Sequence, residues 1–95
     1  MIDEEKYLEV MSFLTTCRSQ IESGAMELQY SAVECMENLN DDHVGKYVVS
    51  IGKSVQLYQK ICTLIDAVIR AMGKELQKSQ EAAKKIGSDW SPVAL

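Results

Sequence analysis

Apolar residues recur every three or four positions through the first half of the chain. Their mean spacing of about 3.6 residues is the period of an α-helix and differs from the two-residue period of a strand. Asp3 precedes them and is a favourable N-cap, so the pattern predicts a helix over residues 4–38. Two consecutive steps of four around Ile21 predict a local unwinding beside Gly24. The apolar positions are Tyr7, Val10, Leu14, Cys17, Ile21, Ala25, Leu28, Ala32, Cys35 and Leu39.

A stricter pattern runs through the second half, where the steps alternate between four and three residues. This heptad is typical of a left-handed coiled-coil seam, and only Ser79 interrupts it. It predicts a helix over residues 43–86 that ends before Gly87, so that residues 87–95 form a tail. The seam positions are Val44, Val48, Ile51, Val55, Tyr58, Cys62, Ile65, Ile69, Met72, Leu76, Ser79, Ala83 and Ile86.

The two predicted helices are joined by the short polar stretch of residues 39–42, in which Asp41 or Asp42 can cap the second helix. Helices joined by so few residues run antiparallel. The numbers of facing residues then add up to about 82, so Leu14 is expected near Val68. The predicted fold is all-α, a single domain formed by an antiparallel two-helix hairpin, with the end of the second helix extending beyond the first.

Both predicted helices carry a second apolar stripe beside the seam. Two helices cannot cover such a broad apolar surface, and exposed patches of this kind mark interfaces. We therefore predict that two hairpins complete a four-helix bundle by dimerisation; a monomer with a third helix folded back at Gly24 is the alternative. The predicted interface residues are Leu57, Ile61, Leu64, Val68, Ala71, Met26, Tyr30 and Val33.

Charge separates the two halves of this 95-residue chain, whose net charge is -4. Residues 1–42 hold ten acidic and two basic residues, a net charge of -8, whereas residues 43–95 hold eight basic and four acidic residues, a net charge of +4. The overall acidity argues against nucleic acid as a partner, because phosphate binding needs clustered Lys and Arg. The opposite signs favour alignment of the two halves side by side.

Residues that could carry chemistry are few and poorly placed. One segment, Gly52-Lys53-Ser54, resembles the end of a phosphate-binding loop. The motif also needs a Gly where this chain has Tyr47, and a strand before the loop, which the pattern does not predict. His43 is the single histidine and lies in the polar turn. We therefore predict no catalytic residue, no metal ligand and no cofactor, and a protein that is not an enzyme.

The cysteines are Cys17, Cys35 and Cys62, which form no C-x-x-C pair, so we expect reduced thiols that line the core. No apolar run is long enough to span a membrane, and the acidic N-terminus does not resemble a secretory signal. We expect synthesis in the cytoplasm and no stable membrane insertion. Trp90, in the predicted tail, is the only Trp; it is a candidate recognition residue for another protein, and packing back on its own helix is the equal alternative.

The layout resembles the WXG-type (ESAT-like) family of type VII secretion, whose members are small antiparallel helical hairpins that dimerise into four-helix bundles. The Trp-x-Gly motif of that family's turn corresponds to His43, Val44 and Gly45, which match it at Gly alone. The family's C-terminal Tyr-x-x-x-Asp/Glu export motif has no counterpart, since no Tyr follows Tyr58.

In these departures from the family motifs, the chain resembles the divergent members that accompany LXG-type toxins. The resemblance implies a type VII secretion substrate or a targeting partner, in effect a chaperone, which pairs as a homodimer or heterodimer with a toxin's N-terminal region or another small helical partner. It also implies export to the cell surface or medium after synthesis. The alternative is a cytoplasmic coiled-coil adaptor or regulatory module unrelated to secretion.

Overall fold

The structure is a computed structural model that describes residues 2–39 and 41–90, with side chains described as far as Lys85. Its described part is helical throughout and contains no strand. We call residues 4–37 the first arm and the long helix that follows the second arm. The elements are α1 (Glu4–Glu27), a π-helical segment (Leu28–Ala32) and α2 (Val33–Glu37) in the first arm, and α3 (Val44–Trp90) as the second arm.

The side chains of Asp3 and Asp41 accept hydrogen bonds from backbone N–H groups near the starts of the two arms. The Oδ1 atom of Asp3 accepts a 3.1 Å hydrogen bond from the backbone N–H of Lys6, which satisfies one of the free donors of the first turn. At the turn, Oδ1 of Asp41 accepts a 2.8 Å hydrogen bond from the backbone N–H of His43, one residue before α3 begins. The N-cap prediction for Asp3 is confirmed, whereas the side chain of Asp41 bonds to His43, which precedes α3.

Contacts between the arms confirm the antiparallel hairpin and its register. Arg18 contacts both Asp66 and Cys62, and the methyl carbon of Met11 lies 3.6 Å from where a Cβ at Gly73 would stand. The midpoints of these pairs fall at residues 40 to 42, within or beside the predicted turn.

The seam of the first arm differs from the predicted stripe. Met11 and Arg18 are partly buried and contact the second arm, whereas Val10 is exposed. With Met11 and Arg18 in the seam, the steps from Tyr7 to Ala25 alternate between four and three, and no stutter is needed. The apolar pattern missed this register because Arg18 is charged and its neighbour Cys17 is not.

The irregularity predicted beside Gly24 lies one turn later, in the π-helical segment Leu28–Ala32. A π-helix has more residues per turn than an α-helix, so this segment delays the phase of the arm by about one residue. Val33 and Met36 are therefore partly buried, and Cys35 is exposed. The expectation of three core-lining thiols holds for Cys62, which is buried, and is wrong for Cys35; Cys17 is only partly buried.

The second arm continues four residues beyond the predicted end at residue 86 and includes Gly87. A single Gly costs a helix only about 1 kcal/mol relative to Ala and does not by itself end it. The side chains of residues 81–85 are all exposed, as expected where α3 extends past the start of the first arm. The predicted tail beyond Trp90 lies outside the described residues.

The core between the arms is thin. The buried apolar residues are only Ala25, Val55, Cys62 and Leu76 among those described. The chain exposes 7754 Å², whereas a compact monomer of this mass exposes about 5,500 Å². Its radius of gyration is 22.7 Å, in a rod of 84 × 15 × 15 Å, against about 12 Å for a compact domain. Two arms alone therefore leave much apolar surface uncovered.

Candidate protein-binding surfaces

An apolar row runs along one side of α3, away from the seam. Its members follow one another at steps of four and three, which places them on one side of the helix, about 120° around it from the seam. All are exposed, and Leu64 exposes 67% of its surface. The row spans about 21 Å. It consists of Leu57, Ile61, Leu64, Val68 and Ala71.

The first-arm residues predicted to share this interface lie elsewhere. Met26 and Tyr30 line a groove of about 430 Å³ between the arms, opposite Tyr58 and Thr63. Thr63 is on the side of α3 away from the apolar row, because Thr63 and Ile61 lie about 100° from the buried Cys62 in opposite directions around the helix. The structure therefore divides the predicted interface residues between two sides of the hairpin. We call the side that contains Met26, Tyr30, Tyr58 and Thr63 the groove side. Val33 is partly buried.

The opposite side of the first arm carries apolar residues that the sequence interpretation did not place in the interface. Phe13 exposes 67% of its surface, Val10 is exposed and Cys17 is partly buried. Their spacing of three and four residues puts them on one side of α1, away from Met26. In the observed register, Phe13 is level with residue 69 of α3, beside the apolar row.

These residues and the apolar row lie on the same side of the hairpin, and we call them together the apolar face. The sequence contained a sign of it, since Val10, Phe13 and Cys17 repeat with helical spacing. Val10 and Cys17 were assigned to the seam instead, which left Phe13 without neighbours. The apolar face consists of Val10, Phe13, Cys17, Leu57, Ile61, Leu64, Val68 and Ala71.

Charged residues border the apolar face on both arms. On α3, Lys53, Lys60 and Lys74 repeat at multiples of seven residues and lie next to the apolar row on a heptad wheel. On α1, Lys6 and Glu27 repeat the heptad position of Phe13, and Glu9, which pairs with Lys6 at 3.8 Å, occupies the neighbouring position. The edge along α3 is therefore basic, and the edge along α1 carries both signs. Among the described residues, the ion pairs do not include these three lysines of α3 or Glu27.

An ion pair joins the two arms between the apolar face and the groove side. Arg18 Nε donates a 2.9 Å hydrogen bond to Oδ1 of Asp66, and its Nη1 bonds to Glu22 on the same helix. The hydrogen bond and charge of Asp66, followed by the charge of Glu22, raise the pKa of Arg18. The Sγ atom of Cys62 lies 3.7 Å from the backbone carbonyl oxygen of Arg18 and donates to it. This cluster holds the register.

The turn residues that carry the family resemblance are exposed or partly exposed. His43 precedes α3, Val44 begins it and Gly45 follows. A Cβ added at Gly45 would meet no atom within 4 Å, so nothing in this chain requires glycine there. For Trp90 the structure gives a helical backbone position, and its side chain lies outside the described residues.

Gly52, Lys53 and Ser54 lie inside the regular helix α3, where no phosphate-binding loop can form. In residues 2–39 and 41–90, no three His, Cys, Asp or Glu residues are grouped to hold a metal ion. Within those ranges no helix has both the length and the apolarity needed to cross a membrane.

Comparison with known proteins adds no family. No protein-family model, curated protein or solved structure matches this chain. The case for a function therefore depends on the apolar face, the groove side and the turn.

Proposed function

We propose that this chain is a non-enzymatic protein-binding hairpin that completes a helical bundle with a helical partner. The observation that carries the proposal is the exposure of the apolar row on α3. A row of Leu, Ile and Val at steps of three and four is the arrangement that packs against another helix. Exposed apolar patches of this extent are uncommon on monomers and mark interaction sites.

The thin core between the arms supports the same proposal. A hairpin with so few buried side chains gains little free energy from burial, whereas ordering each residue costs about 1–2 kcal/mol. Covering the apolar face would add burial worth about 25 cal/mol per Å² of apolar surface. A helical partner would therefore contribute a large part of the stability of the fold.

The finer proposal is that the bundle serves type VII secretion. In that proposal the chain is a substrate or a targeting partner that pairs with the N-terminal region of an LXG-type toxin, and it leaves the cell with or like that toxin. The hairpin layout and the position of Gly45 at the start of α3 support it. The second candidate, a cytoplasmic coiled-coil adaptor, is favoured by the absence of Trp at His43 and by the heptad seam of α3.

The binding proposal is tested by placing charges on the apolar face. We expect Leu64→Glu/Val68→Glu to abolish assembly, measured by light scattering coupled to size-exclusion chromatography, and to abolish binding of a helical partner. Leu39→Glu is the control, because Leu39 is as exposed as the apolar row but lies at the turn. A double variant that assembles and binds like the parent would refute the proposal.

The secretion proposal is tested separately. We expect the gene to lie beside genes for a large toxin and a membrane ATPase, and its deletion to abolish export of that toxin. A normal level of exported toxin after deletion would leave the adaptor as the better candidate.

A further inference from the structure

We infer that the end of the first arm next to the turn has two packing registers, one with the π-helical segment and one continued as an α-helix. The register also decides whether Tyr30 lines the groove side. The inference goes beyond the proposed function, since it concerns the hairpin itself. The observation that carries it is that residues 32–39 contain two apolar rows one residue apart, and the π-helical segment directs only one of them to the seam.

The first row is the one that continues the heptad of α1. Partly or fully buried residues alternate at steps of four and three from Tyr7 to Ala32. An uninterrupted α-helix would therefore bring Cys35 and then Leu39 to the seam. In the structure both side chains are exposed, and Leu39 exposes 61% of its surface. We call the arrangement that would bury them the α register.

The second row occupies the seam in the structure, an arrangement that we call the π register. The segment Leu28–Ala32 delays the helix by about one residue, so Val33 and Met36 are partly buried instead. Each register covers one larger and one smaller apolar side chain, either Met36 with Val33 or Leu39 with Cys35. The apolar surface removed from water is therefore similar in the two registers.

The connection between the arms permits the exchange. A change of one residue in register turns α2 by about 100°. Since α2 ends at Glu37 and α3 begins at Val44, the connection between them can absorb this rotation. A π-helical turn is rare and is found often at functional sites. Two arrangements that differ little in free energy are both populated, and whatever contacts one of them better shifts the balance.

The groove side changes with the register. In a continuous α-helix, Tyr30 follows the seam residue Ala25 by five positions, and this heptad position is opposite to the seam. About half of the delay precedes Tyr30 and turns it by about 45° toward the direction of Met26. Tyr30 and Met26 accordingly line the groove of about 430 Å³ opposite Tyr58. The α register would turn Tyr30 away from α3 and remove part of this wall.

Maleimide labelling of Cys35, measured for each cysteine by mass spectrometry of its peptide, reports the register. We expect Val33→Gln/Met36→Gln to slow this labelling at least tenfold, because it places two polar side chains in the seam of the π register only. Leu39→Gln is the matched control and should label at the parent rate, because Leu39 is already exposed. Cys62 is buried and reports unfolding. A double variant that keeps the helical content and the Cys35 labelling rate of the parent would refute the two registers.

A second pair of variants covers the case in which the polar substitutions unfold the end of the arm. The probe is Val33→Cys, at a position that is partly buried in the π register and turned out of the seam in the α register. Cys35→Leu adds apolar surface to the seam of the α register only, whereas Cys35→Ala removes it. We expect the probe to label at least tenfold faster with Cys35→Leu than with Cys35→Ala. Equal rates would refute the two registers.

A distance between spin labels tests the link to the groove. The labels are attached at Tyr30→Cys and Gln56→Cys, with the exposed and partly buried native cysteines replaced by alanine. Gln56 is on the same side of α3 as Thr63, one heptad earlier. Adding Val33→Gln/Met36→Gln should lengthen the distance by about 3–4 Å, because side chains extend about 5–6 Å from the helix axis. An unchanged distance in a variant whose Cys35 labelling has slowed would refute the link between register and groove.

Discussion

Arg18 Nε lies 2.9 Å from Asp66 Oδ1, and this ion pair joins the two arms at a seam position that an apolar residue would normally occupy. Both side chains are about one-third exposed, so solvent weakens the attraction. A polar residue in a coiled-coil seam fixes the register and does so at a cost in stability. We interpret the pair as a device that fixes the alignment of the arms.

This interpretation predicts opposite effects at the two residues. Asp66→Ala should lower the melting temperature, because Arg18 then remains in the seam without its partner. Arg18→Leu should leave the melting temperature unchanged or raise it, because the apolar heptad becomes continuous. It should also produce additional oligomers in native mass spectrometry. A larger loss of melting temperature in Arg18→Leu than in Asp66→Ala would contradict the interpretation.

The hairpin and its register were predictable because they depend on local spacing and on a short polar turn. Asp3 caps α1, and Asp41 bonds within the turn, each through an atom within three residues, so the sequence contains all the needed information. The position of Arg18 in the seam was not predictable, since it depends on Asp66 opposite it. The π-helical segment likewise has no local sequence sign, and its phase shift accounts for the exposure of Cys35.

The second prediction concerns stability and concentration. If association completes the core, dilution favours the unfolded chains, and the melting temperature falls. A hundredfold dilution should lower it by about 5–10 °C for a dimer of this size, followed by circular dichroism. Leu64→Glu/Val68→Glu should remove this dependence and lower the melting temperature at all concentrations. An invariant melting temperature in the parent would contradict association.

The third prediction concerns the glycines of α3. A Cβ at Gly52 would meet no atom within 4 Å, and Ala in a helix interior is about 0.5–1 kcal/mol more stable than Gly. Gly52→Ala should therefore raise the free energy of unfolding by that amount, measured by urea denaturation. Gly45→Ala should give a smaller gain, because Gly45 lies in the first turn. A loss of stability in Gly52→Ala would contradict this prediction, because it would indicate a close neighbour of Gly52 that the isolated hairpin does not contain.

The interface was only partly predictable from the sequence. The apolar row from Leu57 to Ala71 follows from helical spacing alone. The assignment of Met26 and Tyr30 to the groove side requires the alignment of α1 against α3. The contacts of Arg18 show that alignment. Phe13 could be assigned to the apolar face only after those contacts were known.

The last prediction addresses the end of α3, which extends beyond the start of the first arm. Residues 81–85 are exposed there, so the segment adds little burial to the hairpin. Deleting residues 87–95 should leave the melting temperature of the isolated protein unchanged, because these residues follow a segment of α3 whose side chains are already exposed. If the end of α3 contributes to recognition, the same deletion should abolish binding of a helical partner, measured by isothermal titration calorimetry.

Trp90→Ala should weaken that binding about thirtyfold or more, since a Trp anchor commonly contributes about 2 kcal/mol or more. Val93→Ala is the control and should bind normally. Full affinity after the deletion would exclude the end of α3 from recognition and leave the apolar face and the groove side as the binding surfaces.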